Sequence, residues 1–249
     1  MCNRQKVDTL LKSATVSCMK DRLIAGNQTF QTNKRGSIAT GVRVAARQRN
    51  AVDSFRNARE AIGDLSSGMH TFALTRGQWS MIDGILATLD QTGPAHVSVW
   101  TWTVAEYEVQ CVERLMMDKR LLSARLVIDL SGRSTNKGQF NALLNRWQVA
   151  FGADSIRYVV NHSKIARVWN DKWRCLLRGS MNLNFNPRFE NFDISEGCAG
   201  FDLVTGVEDG LPVLPRDCSH EQAREASQVG SAFTMEQLSI FNPKKIWAK

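Results

Sequence analysis

The sequence predicts an α/β fold, a mixed and mostly parallel sheet sandwiched between helices. Three observations carry that expectation. From about residue 70, stretches whose apolar residues alternate or run together are interleaved with stretches whose apolar residues recur at helical spacing. The helical stretches run about 12–15 residues, the length a crossover needs to bring the chain back to a parallel strand. Glycine, proline or asparagine stands at the junctions. A chain of 249 residues, 43% hydrophobic, can bury a substantial core as one large domain or two small ones.

Each element follows from its residues. Thr71-Phe72-Ala73-Leu74-Thr75 reads as a strand. Met81, Ile82, Ile85, Leu86 and Leu89 then repeat at helical spacing until Thr92-Gly93-Pro94 ends the helix. Residues 96–102 alternate as a strand, and residues 104–118 form an amphipathic helix carrying Val104, Tyr107, Cys111, Val112, Leu115 and Met116. Residues 125–130 make a buried-type strand closed by Ser131-Gly132. A helix over 137–151 gathers Phe140, Leu143, Leu144, Trp147 and Phe151 on one face. The strand at 156–160 leads directly to His162, and residues 164–169 and 173–178 flank a turn at Asn170-Asp171 as a hairpin. Residues 220–229 fit a short helix, and 233–247 offer apolar residues for the core or a partner.

The N-terminal part is different. Residues 1–44 have no sustained period, and 31–37 read as a flexible polar loop. Residues 45–62 read as a helix with Ala45, Val52, Phe55 and Ile62 buried and basic residues elsewhere. The expected organisation is therefore a basic, partly helical extension over 1–65 and a catalytic domain over 66–249. Charge supports the division: residues 1–60 hold 12 Lys and Arg against 4 Asp and Glu, which accounts for the whole net charge of +8. A second basic excess lies at 157–188, where Arg157, Lys164, Arg167, Lys172, Arg174, Arg178 and Arg188 face only Asp171. Clustered cations attract polyanions through counterion release, or simply keep a surface soluble.

No run of about 18 apolar residues appears, and the first residues lack the apolar core of a signal peptide, so a cytoplasmic protein without stable membrane association is expected. The six cysteines contain no CxxC pair. They are expected as buried thiols in a reducing compartment, Cys218-Ser219-His220 being chance proximity rather than a metal fragment.

The most specific stretch is His162-Ser163-Lys164, followed by Gly179-Ser180-Met181-Asn182 and then Glu190-Asn191. An imidazole, an ammonium, a hydroxyl, an amide and a carboxylate are the groups needed to hold a phosphate diester and attack it with nitrogen. His162 sits just after a strand, where ligands of such sheets bind, and the hairpin returns Ser180 and Asn182 beside it. A neutral His162 can form a covalent phosphohistidine, splitting one displacement into two. Lys164, Asn182 and Ser180 can donate to the non-bridging oxygens as charge builds there. Glu190 can accept the other imidazole N–H and fix its tautomer. Arg178, Asn184 and Arg188 either line the pocket as substrate-binding residues or are solvated. Trp100, Trp102 and Trp147 are read as core residues; Trp169 and Trp173 are open between core and stacking platform.

This ordered set resembles the signature of the phospholipase D superfamily: HxK, a spacer, GSxN and a downstream Glu-Asn. The resemblance spans about residues 70–205 and is closest to the superfamily's short, single-motif bacterial nucleases. It implies a phospholipase D-like α-β-α fold, selects Glu190 over Asp193, and implies chemistry that needs no metal or cofactor. One position departs: the family often has Asp seven residues after the motif histidine, where this chain has Trp169, with Asp171 two residues on at the turn.

The acid that protonates the leaving oxygen is missing from this set. His70, His96 and His220 are followed two residues on by Phe72, Ser98 and Gln222, so no second HxK exists. A homodimer sharing one pocket across its two-fold axis supplies a second His162, the arrangement that the resemblance also implies. Two histidines in one pocket titrate as a coupled pair and give a bell-shaped pH profile. The diester is common to nucleic acid and phospholipid. The basic N-terminal part and the lack of an apolar anchor favour nucleic acid, DNA more than RNA, over a lipid substrate. A non-catalytic nucleic-acid-binding protein on the same fold is the third reading.

Overall fold

The computed structural model describes residues 39–44, 51–104, 106–131, 137–183 and 187–229. The alternating segments form strands β3 (His70–Thr75), β4 (Ala95–Thr101), β5 (Leu121–Asp129) and β6 (Ile156–Val159). Between them lie helices α2 (Met81–Thr92), α3 (Glu106–Met117) and α4 (Lys137–Phe151), with a 3-10 turn at Ala153–Ser155 before β6. Helix α2 starts as its sequence dictates. Ser80 and Asp83 form a reciprocal capping box, and Gly93 ends the helix with φ 73°. The hairpin is β7 (Lys164–Trp169) and β8 (Arg174–Gly179), its turn held by Asn170 Oδ1, which accepts from the backbone N–H groups of Lys172 and Trp173 at 3.0 Å each.

Five elements depart from expectation before or after this run. Residues 45–62 are not one helix: Ala51–Phe55 is strand β2, helix α1 covers only Ala58–Ile62, and residues 45–50 lie outside the described residues. Asn57 caps α1 by accepting from the Glu60 N–H, so an Asx-type cap cuts short a pattern that reads as continuous. Strand β1 (Ala39–Val44) precedes β2 in a stretch with no visible period, the polar loop expected at 31–37 lying outside the described residues. Strand β9 (Glu190–Glu196) and helix α5 (Ala199–Gly210) follow the hairpin, and α6 (His220–Val229) is the short helix expected.

The strands form one mixed sheet in the order β2-β1-β3-β9-β8-β7-β4-β5-β6. The expectation of a mostly parallel sheet is corrected: β4–β5 and β5–β6 are parallel, and the other six pairings are antiparallel. Strand–helix alternation does produce parallel neighbours between β4 and β6. The hairpin and β9 then insert between β3 and β4, which the alternation does not reveal.

Helices cover both faces. Leu176 and Leu177 are successive residues of β8 and so point to opposite sides. On the Leu177 side α2 lies so close that a Cβ on Gly84 would stand 2.8 Å from the Phe192 ring. On the Leu176 side, a Cβ on Gly200 of α5 would stand 3.1 Å from Leu176. The main core occupies the first face, with Ile82, Ile85, Leu126, Ile128, Leu144 and Phe192 buried. Phe55 and Ile62 pack in that same cluster, so residues 55–62 share the core of the rest of the chain.

The second face holds a charged interior. Glu208 of α5 is 0% exposed and accepts from the Ser98 hydroxyl, from Trp100 Nε1 at 2.6 Å, and from Arg167, with which it forms an ion pair. Arg125 reaches it at 3.3 Å. Among the described residues no helix is long and apolar enough to cross a membrane. Cys111, Cys175, Cys198 and Cys218 are thiols; burial pushes the Cys175 thiol up to about 12, with Glu196 and Cys198 adding to the shift, which makes it a poor nucleophile.

Candidate active site

Sheet register brings the motif together. Lys164 at the start of β7 pairs with Gly179 at the end of β8, and Gly179 pairs with Phe192 of β9. His162, Ser180, Asn182 and Glu190 therefore gather at one end of the sheet. The parallel strands β4, β5 and β6 also finish there, since Trp100 lies opposite Ile165 and Asp129 opposite Val159. This is the carboxyl end at which open α/β sheets bind ligands.

Directly paired residues share a face, so Lys164, Gly179, Phe192 and Glu190 lie on one side of the sheet. Arg178 pairs with Asp193 and lies on the other. There it donates to Asp193 at 2.8 Å and to Ser195 at 2.9 Å, while His70 holds the second Asp193 oxygen. Arg178 is thus not brought to the motif. The same alternation separates Glu190 from Asp193. Only the former is on the side of Lys164.

Gly179 is required by contact. A Cβ there would run into the backbone oxygen of Asn191 across the β8–β9 pairing. The two strands stay locked just beyond it, because the Ser180 N–H donates to the Asn191 oxygen at 3.2 Å and the Asn191 N–H donates to Ser180 Oγ at 3.0 Å. Ser180 Oγ in turn donates to Glu190 Oε2. The GSxN segment and Glu190 form one hydrogen-bonded unit.

Lys164 is only 7% exposed, whereas His162 is exposed. Lys164 Nζ donates to the His162 backbone oxygen at 2.6 Å and stands 3.2 Å from His162 Nδ1. Burial lowers the Lys164 pKa below its ordinary 10.5, and the charge of Glu190 opposes that shift. One expected contact is therefore revised, because the group facing Nδ1 is the Lys164 ammonium. An ammonium only donates, so Nδ1 accepts and the neutral ring carries its proton on Nε2. This tautomer follows from the donor–acceptor assignment. In it the ring can give a proton. To attack phosphorus through Nε2, the ring must carry its proton on Nδ1, and Lys164 must turn toward the phosphate oxygens.

Asn182 is half-buried, and its backbone oxygen accepts from the N–H of Met81 at the first turn of α2, at 3.4 Å. Its Oδ1 is buried without a hydrogen-bond partner among the described residues. Such an arrangement costs about 1–3 kcal/mol, and a bound water, ion or ligand group would relieve it. Arg188 is exposed, two residues before Glu190, and Asn184 lies outside the described residues.

Residues not singled out from sequence complete the surroundings. Asp129, at the end of β5, accepts from the Asn161 N–H at 2.6 Å through one oxygen and from the Ser131 N–H at 2.8 Å through the other. Asn161 Oδ1 accepts from the Ser163 N–H at 2.8 Å, which fixes the turn carrying His162. Trp102, read from sequence as core, is 41% exposed, and its ring centre lies 5.8 Å from that of His162. The signal was present in the sequence: Trp102 and Asp129 stand at the ends of consecutive parallel strands. Trp147 is buried as expected, and Trp100 is half-buried against Glu208. Trp169, stacked on His96 and under Arg167, and Trp173 sit at the turn end of the hairpin, opposite to Lys164 along β7.

The local basic excess also resolves differently. Arg167 pairs with Glu208, Arg174 with Asp202 and Arg178 with Asp193, and Arg157 donates to the Leu211 carbonyl at 3.0 Å. Their acidic partners lie after residue 188, outside the window in which the excess was counted. Lys164 is the cation of that group placed against His162. Among the described residues no cluster of three His, Cys, Asp or Glu side chains could hold a metal ion. No known family model matches the chain, and comparison with curated proteins finds no relative.

Proposed function

We propose that this chain is a phosphodiesterase of phospholipase D-like architecture, cleaving nucleic acid, DNA by preference, through a phosphohistidine at His162. The observation that supports it best is the pairing of an exposed imidazole with a desolvated ammonium at 3.2 Å, at the sheet end where Ser180, Asn182 and Glu190 meet. His162 attacks phosphorus as the phosphorus–oxygen bond to the leaving group breaks. The protonated His162 of a second subunit gives its proton to the leaving oxygen, then takes a proton from the water that displaces the imidazole from phosphorus, which restores both histidines. Lys164 and Asn182 donate to the non-bridging oxygens, and Ser180 holds Glu190 in place. A homodimer is part of the reading, because one subunit holds only one such histidine. Neither a metal nor a cofactor takes part, and activity follows a bell-shaped pH profile that chelators leave unchanged.

The test incubates the full chain with labelled single-stranded DNA, duplex DNA, RNA and phosphatidylcholine vesicles. Products are followed, and quenching at alkaline pH traps the covalent adduct for mass spectrometry. A nucleotidyl adduct on His162, lost in His162→Ala, is the expected result. Turnover of vesicles alone, or an active monomer by light scattering, contradicts the proposal.

A further inference from the structure

Trp102 projects from the end of β4 with 41% of its surface exposed, at the rim of the candidate site. About two-fifths of the indole is thus open beside His162, presenting an aromatic surface with a polar handle. The indole is also held in place. Its Nε1 donates to Ser131 Oγ at 3.0 Å, and Ser131 is fastened to Asp129 by its own N–H at 2.8 Å and by its hydroxyl. The same carboxylate takes the Asn161 N–H that orders the turn before His162. One buried aspartate thus fixes the positions of the indole and the imidazole relative to each other. The two rings lie 5.8 Å apart and are inclined at 48°, so neither covers the other by flat stacking.

We infer that Trp102 is a stacking platform for a nucleobase next to the scissile phosphate. The inference rests on the phosphodiesterase reading and deepens it by giving the site a contact that a phospholipid lacks. With the rings 5.8 Å apart, a phosphate held at His162 leaves its own base within reach of the Trp102 face. A stacked base contributes about 1–3 kcal/mol without regard to its identity, so the platform supplies affinity and register with little sequence preference. A quaternary ammonium head group is the other ligand an indole attracts. Here it would have to sit beside the Lys164 ammonium, 3.2 Å from the same imidazole, where a neutral base meets no repulsion.

The experiment uses the full-length protein and two probes. The first is a fluorescent single-stranded oligonucleotide; the second is the same oligonucleotide with abasic sites on both sides of the preferred cleavage position. Binding is measured by anisotropy in the His162→Ala background and cleavage in the otherwise wild-type chain. Trp102→Ala is expected to weaken binding about 5- to 140-fold, the equivalent of ~1–3 kcal/mol at 1.4 kcal/mol per tenfold. KM should rise by a similar factor while kcat changes far less. Trp102→Phe, which keeps a ring, should recover most of the loss. The abasic probe should bind the Trp102-containing protein as weakly as the variant binds the normal one. That arm needs no variant of Trp102 and so stands even if Trp102→Ala unfolds. Equal affinity for both probes, or a Trp102→Ala protein with unchanged KM, overturns the platform while leaving the phosphodiesterase reading intact. Vesicle turnover that depends on Trp102, with no nucleic-acid cleavage, overturns both.

Discussion

Strand β7 carries two cations three residues apart, and the alternation of the strand sends them to opposite faces of the sheet. Arg167 meets Glu208 and Thr205, and Arg125 reaches the same buried carboxylate. Lys164 has no ion pair among the described residues; it donates to one backbone oxygen and stands against an imidazole, while the nearest carboxylate, Glu190, accepts from Ser180. Both side chains are nearly inaccessible to water, at 2% and 7% exposure. What distinguishes them is saturation. A satisfied buried ion cluster ties elements together, whereas the Lys164 ammonium makes no ion pair among the described residues and the charge of Glu190 only partly offsets its burial.

Substitutions separate the two regions most sharply at their centres. His162→Ala is expected to reduce phosphodiesterase turnover by about 10³-fold or more while the thermal midpoint stays near that of the parent protein. Glu208→Ala should do the reverse, costing about 3–5 kcal/mol in a urea titration because it leaves Arg167 buried and unpaired. A stable Glu208→Ala protein would remove the contrast.

Gly179→Ala joins the regions, since its Cβ would strike the Asn191 oxygen and part β8 from β9. A loss of about 1–3 kcal/mol and most of the activity is expected, a typical overpacking penalty. The pH dependence refines the comparison further. Burial holds the Lys164 pKa below 10.5, so substrate affinity should fall at a pH below that value, on the alkaline side of the bell set by the two histidines, and Lys164→Arg should carry that fall upward in whatever binding remains. The sign for stability is the opposite of that for an ion pair. The cost of burying charged Lys164 is present below its folded pKa and lifts as pH rises toward 10.5, so denaturant midpoints should rise over that interval and the rise should vanish in Lys164→Met. The smallest change is expected for Arg178→Ala. It lies on the far face with Asp193, so kcat/KM should stay within about twofold and stability should fall by roughly 1 kcal/mol for a part-exposed pair.

Much of this was legible in the sequence where one period dominates. Helix α4 coincides with the apolar stripe from Phe140 to Phe151, and the hairpin was readable because Asn170-Asp171 interrupts two apolar runs. The meeting of His162, Lys164 and Ser180 at one sheet end follows from spacing once the hairpin is in place, whereas Glu190 reaches it on β9, a strand the spacing does not reveal. Strand β9 is hard to read because only two apolar residues, Phe192 and Ile194, mark its buried face, and the partner that engages Asp193, Arg178, is distant in sequence. For the same reason Arg174 and Arg178 read as spare positive charge: a local window cannot contain the acids that neutralise them. Trp102 was misassigned because apolar bulk in a strand normally signals core, and its exposure depends on where β4 ends.

The insertion of β7, β8 and β9 between β3 and β4 has a consequence in time. His70–Thr75 pairs with Glu190–Ser195, so β3 emerges from the ribosome long before its neighbour in the sheet exists. At 5–20 residues per second the roughly 120 intervening residues take about 6–24 seconds to make. Long-range pairing of this kind is slow to nucleate even in a finished chain. During synthesis His162 and Lys164 therefore appear before Glu190 and before the strand that closes the sheet beneath them. A nascent chain that stops short of Glu190 carries His162 and Lys164 without the strand that closes the sheet beside them.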